Sequence, residues 1–177
     1  MPSGHGRTAL TLVETLILAA LVAILLLASA LLVRSMRTEL KRRQSVELLA
    51  RLNAALDAYH EAVGVWPSAE DAPDDRTAAI LVLQQLAQVN ASRAHLDRID
   101  PVLRIPGTQP HDFAGVRDGW GHPLRCLTVA STAPADRQAV AASGGRPIFI
   151  SAGDHGGFEE RDPAEPAEMI RSDELPD

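Results

Sequence analysis

Between Leu16 and Val33 the chain reads LILAALVAILLLASALLV, eighteen residues with no charge and one hydroxyl. At 1.5 Å per residue, a helix of that length spans about 27 Å, close to the hydrocarbon core of a bilayer. Its Leu, Ala and Ile content favours helix. Past this run the pattern changes. Leu48, Leu52, Leu56, Tyr59 and Val63 fall at steps of 4, 4, 3 and 4, which is one stripe of an amphipathic helix. Arg42, Arg43, Glu47, Arg51, Asp57 and Glu61 lie mostly off that stripe. No proline or glycine occurs between Leu10 and Val63. The pattern therefore predicts one helix of about 80 Å, apolar in its first half and amphipathic in its second. A stripe of a few turns that ends at a turn predicts packing on the chain's own head rather than a coiled coil.

Gly64 and Pro67 stop this helix. A loop with Asp71, Pro73, Asp74 and Asp75 leads into a second helix expected over Thr77–Val89. Ile80, Leu83 and Ala87 would form one of its faces and Val82, Leu86 and Val89 another. Residues 93–117, with Pro101, Pro106, Gly107, Pro110 and Gly115, read as a long irregular connection. Leu124–Val129 and Pro147–Ser151 are the strand candidates, separated by a small-residue loop over Ser131–Gly145. The fold class expected is α+β: a long N-terminal helix, transmembrane then amphipathic, packed on a small antiparallel β-sheet head. Trp120, between two glycines, is either a plug closing the end of that sheet or an exposed contact for a neighbouring subunit. The need for core area in a small domain favours the plug.

Composition narrows the function classes. With 3% aromatic residues and a net charge of -6 across 177 residues, neither a base-stacking surface nor a phosphate-backbone partner is expected. The single cysteine, Cys126, excludes an intramolecular disulfide and cysteine-based zinc clusters. From Glu159 onward eight acidic residues face two basic ones, a surplus equal to the whole net charge. With Pro163, Pro166 and Pro176, this tail over 159–177 is expected to be mobile. At the other end, Arg34, Arg37, Lys41, Arg42 and Arg43 follow the apolar run with only Glu39 opposing them. By the charge rule alone they would place the C-terminal side in the cytoplasm.

Little catalytic chemistry is present. The six histidines (His5, His60, His95, His111, His122 and His155) lack metal-helix spacing. Ser131, Ser143 and Ser151 lack a nucleophile-elbow setting, and Lys41, the single lysine, sits in no P-loop. An enzyme is not expected. No cofactor is required, and calcium is the one metal the residues suggest. Ser151, Asp154, Glu159, Glu160 and Asp162 supply oxygens near flexible glycines, as a hard cation needs. A solvated acidic loop is the competing reading, and the spacing does not fit an EF-hand. The most pointed residue is Glu14, among Leu10, Leu12, Val13, Leu16 and Ile17. A carboxylate in such surroundings costs roughly 2.5–3.5 kcal/mol on insertion scales. Three readings stay open for the N-terminal segment. It is a cleaved signal peptide with Arg7 basic, Leu16–Leu27 as its core and Ala28-Ser29-Ala30 as the cut; or a plain anchor; or an anchor in which Glu14 has a further role.

The segment Ala9-Leu10-Thr11-Leu12-Val13-Glu14, followed by an apolar helix, resembles the class III signal of type IV pilins and type II secretion pseudopilins. Leu52-Asn53-Ala54-Ala55-Leu56-Asp57-Ala58-Tyr59 with Gly64-Val65-Trp66-Pro67-Ser68 resembles the helix end and turn of the major pseudopilin. Asp118-Gly119-Trp120-Gly121-His122-Pro123-Leu124 and Ile148-Phe149-Ile150-Ser151-Ala152-Gly153-Asp154-His155-Gly156-Gly157 are similar to two later family motifs, in the family's order. The resemblance implies a prepilin leader over 1–9, cut between Ala9 and Leu10 by a prepilin peptidase, and methylation at Leu10. Ala9 stands where the family usually has Gly, and Leu10 where it usually has Phe. It implies a filament-core helix over 10–33, its amphipathic continuation over 34–63, a pseudopilin head over 64–158 and the acidic tail. Glu14 would pair with the terminal amine of a neighbouring copy, a costly charge satisfied on assembly. Ser151, Asp154 and Asp162 would be calcium ligands. The implied partners are further copies in a filament, other pseudopilins, the peptidase and the inner-membrane assembly platform. The implied location is the bacterial inner membrane, single-pass, with the head in the periplasm. A type IV or minor pilin is an alternative within the class. A secreted or anchored periplasmic binding domain with an ordinary signal is the alternative outside it.

Overall fold

The structure, a computed structural model, describes residues 12–107, 113–154 and 169–175. Its contacts divide the chain into two units, Met1–Glu39 and Leu40–Asp177. The arrangement is α+β, with one long N-terminal helix and two small antiparallel sheets. Helix α1 runs over Leu12–Val63, as the absence of any breaker requires. It closes with Gly64 in the left-handed region at φ 85°, whose N–H donates to the His60 carbonyl.

Within the unit that begins at Leu40, the α1 stripe is real but wider and shorter than expected. Leu48, Leu49, Leu52, Ala55 and Leu56 are buried and Tyr59 is half-buried, whereas Val63 is exposed. Helix α2 covers Asp75–Gln88. Asp74 caps it by accepting the Thr77 N–H at 2.7 Å. Its inward face is Ala78, Ala79, Val82, Leu83 and Leu86, a blend of the two faces expected. These side chains join the α1 leucines in one apolar cluster with Leu96, Ile99, Val116, Leu124, Cys126 and Phe149.

The stretch expected to be irregular holds three elements and the end of a fourth. Helix α3 covers Asn90–Leu96, a 3-10 turn covers Pro101–Leu103, and β1 (Arg104–Pro106) pairs antiparallel with β2 (Phe113–Val116). The main sheet has order β3-β4-β5, with both pairings antiparallel. Strands β3 (Arg125–Leu127) and β4 (Ile148–Ser151) fall inside the two expected runs. Their partner β5 (Ile170–Arg171) comes from the segment expected to be a mobile tail. Ser172, which follows β5, is buried, accepts the Asn53 amide at its carbonyl (2.6 Å), and accepts the Phe149 N–H at its hydroxyl (3.0 Å). Those bonds tie the end of the chain to α1 and to β4.

All four β4 residues are buried, which requires cover on both faces of the central strand. Phe149 points into the main cluster. Ile148 and Ile150 face a smaller one with Leu127, Val140, Ala139 and Met169. Val140 and Ala139 come from α4 (Pro134–Ala142), a helix where the sequence suggests a loop. Pro134 in its first turn suits a helix start.

Candidate membrane and assembly segment

In the N-terminal unit, the large apolar side chains from Val13 to Val33 are between 47% and 68% exposed. An isolated helical segment in water gains nothing from such a surface, so its apolar character calls for lipid or for neighbouring helices as solvent. One helix of the described residues is long and apolar enough to cross a membrane. Its hydroxyls suit that medium. Ser29 donates to the Leu25 carbonyl at 2.8 Å, Ser35 to Leu32 at 2.9 Å and Thr38 to Arg34 at 3.2 Å. Each of these donors is satisfied inside the helix, and for Ser29, within the apolar run, hydrocarbon demands it. Thr15, Leu18, Ala19, Val22, Ala23 and Leu26 line a shallow groove along one side.

Glu14 lies exposed in the first turn of α1. The first-turn N–H groups carry partial positive charge, so a carboxylate here is less costly than one further along the span. Ala9 and Leu10, where cleavage and methylation are expected, lie outside the described residues.

Of the calcium candidates, Asp162, Glu159 and Glu160 also lie outside the described residues. Ser151 is fully buried and already engaged: its hydroxyl donates to Asp118 Oδ2 at 2.8 Å and accepts the Gly153 N–H at 3.2 Å. Asp154 is exposed. Among the described residues, no group of three or more histidine, cysteine or carboxylate side chains is placed to hold a metal.

A different cluster, which sequence spacing had not singled out, organises this end of the head. Asp118, 1% exposed, accepts the Trp120 N–H at 3.0 Å and the His122 N–H at 2.8 Å through Oδ1, besides the Ser151 hydroxyl through Oδ2. His122 Nδ1 sits 3.2 Å from the Gly153 carbonyl. Ser45 of α1 accepts the Gly119 N–H at 2.9 Å while donating to the Lys41 carbonyl. A Cβ on Gly119 would come 2.2 Å from that carbonyl oxygen, so only glycine lets the loop lie this close. The motif Asp-Gly-Trp-Gly-His is thus a latch that fastens one loop to β4 and to α1. Trp120 is half-buried and outside both apolar clusters, which removes it from the role of sheet plug. Trp66 is the tryptophan packed on the main cluster. His60 stacks on it at 4.0 Å, and the Arg146 guanidinium lies over its ring at 5.6 Å while pairing with Asp57 at 2.9 Å.

Cys126 is buried, and burial pushes its thiol pKa well up, with nearby Asp75 adding to the effect. It is a core side chain, not a reactive thiol. Comparison of the chain with family models, with curated proteins and with solved structures finds no match.

Proposed function

We propose that this chain is a structural pseudopilin-like subunit of a type II secretion system, most similar to the major pseudopilin. Its work is mechanical: copies leave the inner membrane, stack through their apolar helices and form a periplasmic filament coupled to protein export. The observation that supports this most is an exposed apolar helix segment with an acidic residue in its first turn. In this reading, a prepilin peptidase removes residues 1–9 and Leu10 becomes the methylated terminus. Glu14 sets register by pairing with the terminal amine of the next copy. Leu16–Val33 serves first as membrane span and then as filament core, and the head faces the periplasm. Other pseudopilins and the inner-membrane platform are the further partners.

The test is Glu14→Ala in the full chain. Membrane insertion should be kept, since the substitution removes a charge from the end of the inserted span and adds none. Filament yield should fall to background, because no carboxylate remains for the neighbouring amine. Sheared or cross-linked filaments at normal yield from this variant would overturn the pairing role.

A further inference from the structure

Immediately after the apolar run, α1 carries two arginines one turn apart, Arg34 and Arg37, both exposed. Residues three apart share a helix face, so both guanidinium groups project from one side of the N-terminal unit. With Val33 at the edge of the hydrocarbon, Arg34 lies about 1.5 Å and Arg37 about 6 Å further along the axis. The headgroup layer on each side of a bilayer is only about 5–8 Å deep. Both cations therefore fall at the depth of the lipid phosphates. In sequence, Lys41, Arg42 and Arg43 continue the positive charge, and Glu39 is the one acid among residues 34–43.

We propose that Arg34 and Arg37 form a binding site for the phosphate headgroups of anionic phospholipids. Guanidinium is suited to this occupant: it stays charged at any relevant pH and matches phosphate oxygens with a fork of donors. The site has a mechanical consequence. Each copy leaving the membrane must release its anionic lipids, so membrane composition would set part of the cost of extraction. The lipid site rests on the membrane span alone, whereas its consequence for extraction also rests on the filament reading. The site survives loss of filaments in Glu14→Ala, and the pilin-like reading survives its failure.

The full chain, reconstituted in phosphatidylcholine vesicles containing a trace of spin-labelled lipid, gives a direct readout. The fraction of label immobilised on the protein is compared for phosphatidylglycerol and phosphatidylcholine. Each cation held near an anionic surface is worth about fivefold in occupancy. Phosphatidylglycerol should therefore be preferred by about fivefold or more at low salt, falling toward parity near molar salt. In Arg34→Gln/Arg37→Gln, with helix content unchanged by circular dichroism, the preference should drop by at least about fivefold. Equal immobilisation of the two lipids by the unaltered chain would overturn the proposal. So would a preference that salt leaves unchanged, or one that the double variant retains.

Discussion

Asp118 shows how one residue organises a region far larger than itself. Buried carboxylates are rare because desolvation opposes the charge, and they persist where hydrogen bonds replace the lost water. Here two backbone N–H groups and the Ser151 hydroxyl do so. Asp118→Ala strands those donors, the fully buried Ser151 hydroxyl among them. The expected loss is roughly 1–3 kcal/mol for leaving a buried donor unsatisfied, read as a lower denaturant midpoint with unchanged slope. Asp118→Asn, which keeps an acceptor oxygen, should lose less. The sequence marked this motif only through resemblance. Nothing in its spacing revealed that Ser151, 33 residues away, would take the second oxygen, since that depends on β4 ending beside the 117–124 loop. The same fact bears on the calcium reading, because a hydroxyl held by Asp118 and Gly153 is committed inside the protein.

At the scale of elements, legibility followed length. Helix α1 has 52 residues and α2 has 14, long enough for a 3.6-residue period to repeat. Helix α3 buries only Ser92 and Leu96, and α4 only Val140, so neither carries a period to read. Strand β5 has two residues in an acidic, proline-rich context, and its place is set by pairing with β4 rather than by local propensity. At the start of α2, the Thr77 N–H bond holds the Asp74 carboxyl below its ordinary value of 3.8. A lowered native pKa means that folding favours the charged form. The cap's contribution is therefore complete above that ordinary value and is lost as the pH falls through the native one. Asp74→Ala should lower Tm at neutral pH, and the gap between variant and parent should shrink as the solution is acidified below pH 3.8. A gap that stays constant down to strong acid would show that Asp74 contributes nothing through its charge.

At the scale of the whole molecule, two units with opposite solvent requirements share one helix. Residues from Leu40 onward bury their own apolar core in two clusters, whereas Val13–Val33 keeps its large apolar side chains exposed. The first arrangement is satisfied in water and the second only among lipids or other apolar helices. That division was legible from the hydropathy pattern alone. The role of Glu14 was not, because a carboxylate at the edge of a span has the same local sequence whether it meets headgroups or a neighbour's amine. The central claim, that the segment is processed and then polymerises, is tested most directly by the mass and N-terminal sequence of the chain extracted from its native membrane. The account expects a chain beginning at Leu10 with a methylated amine. A chain beginning at Leu31 would mark an ordinary signal peptide, an intact Met1 would mark a simple anchor, and either would contradict it.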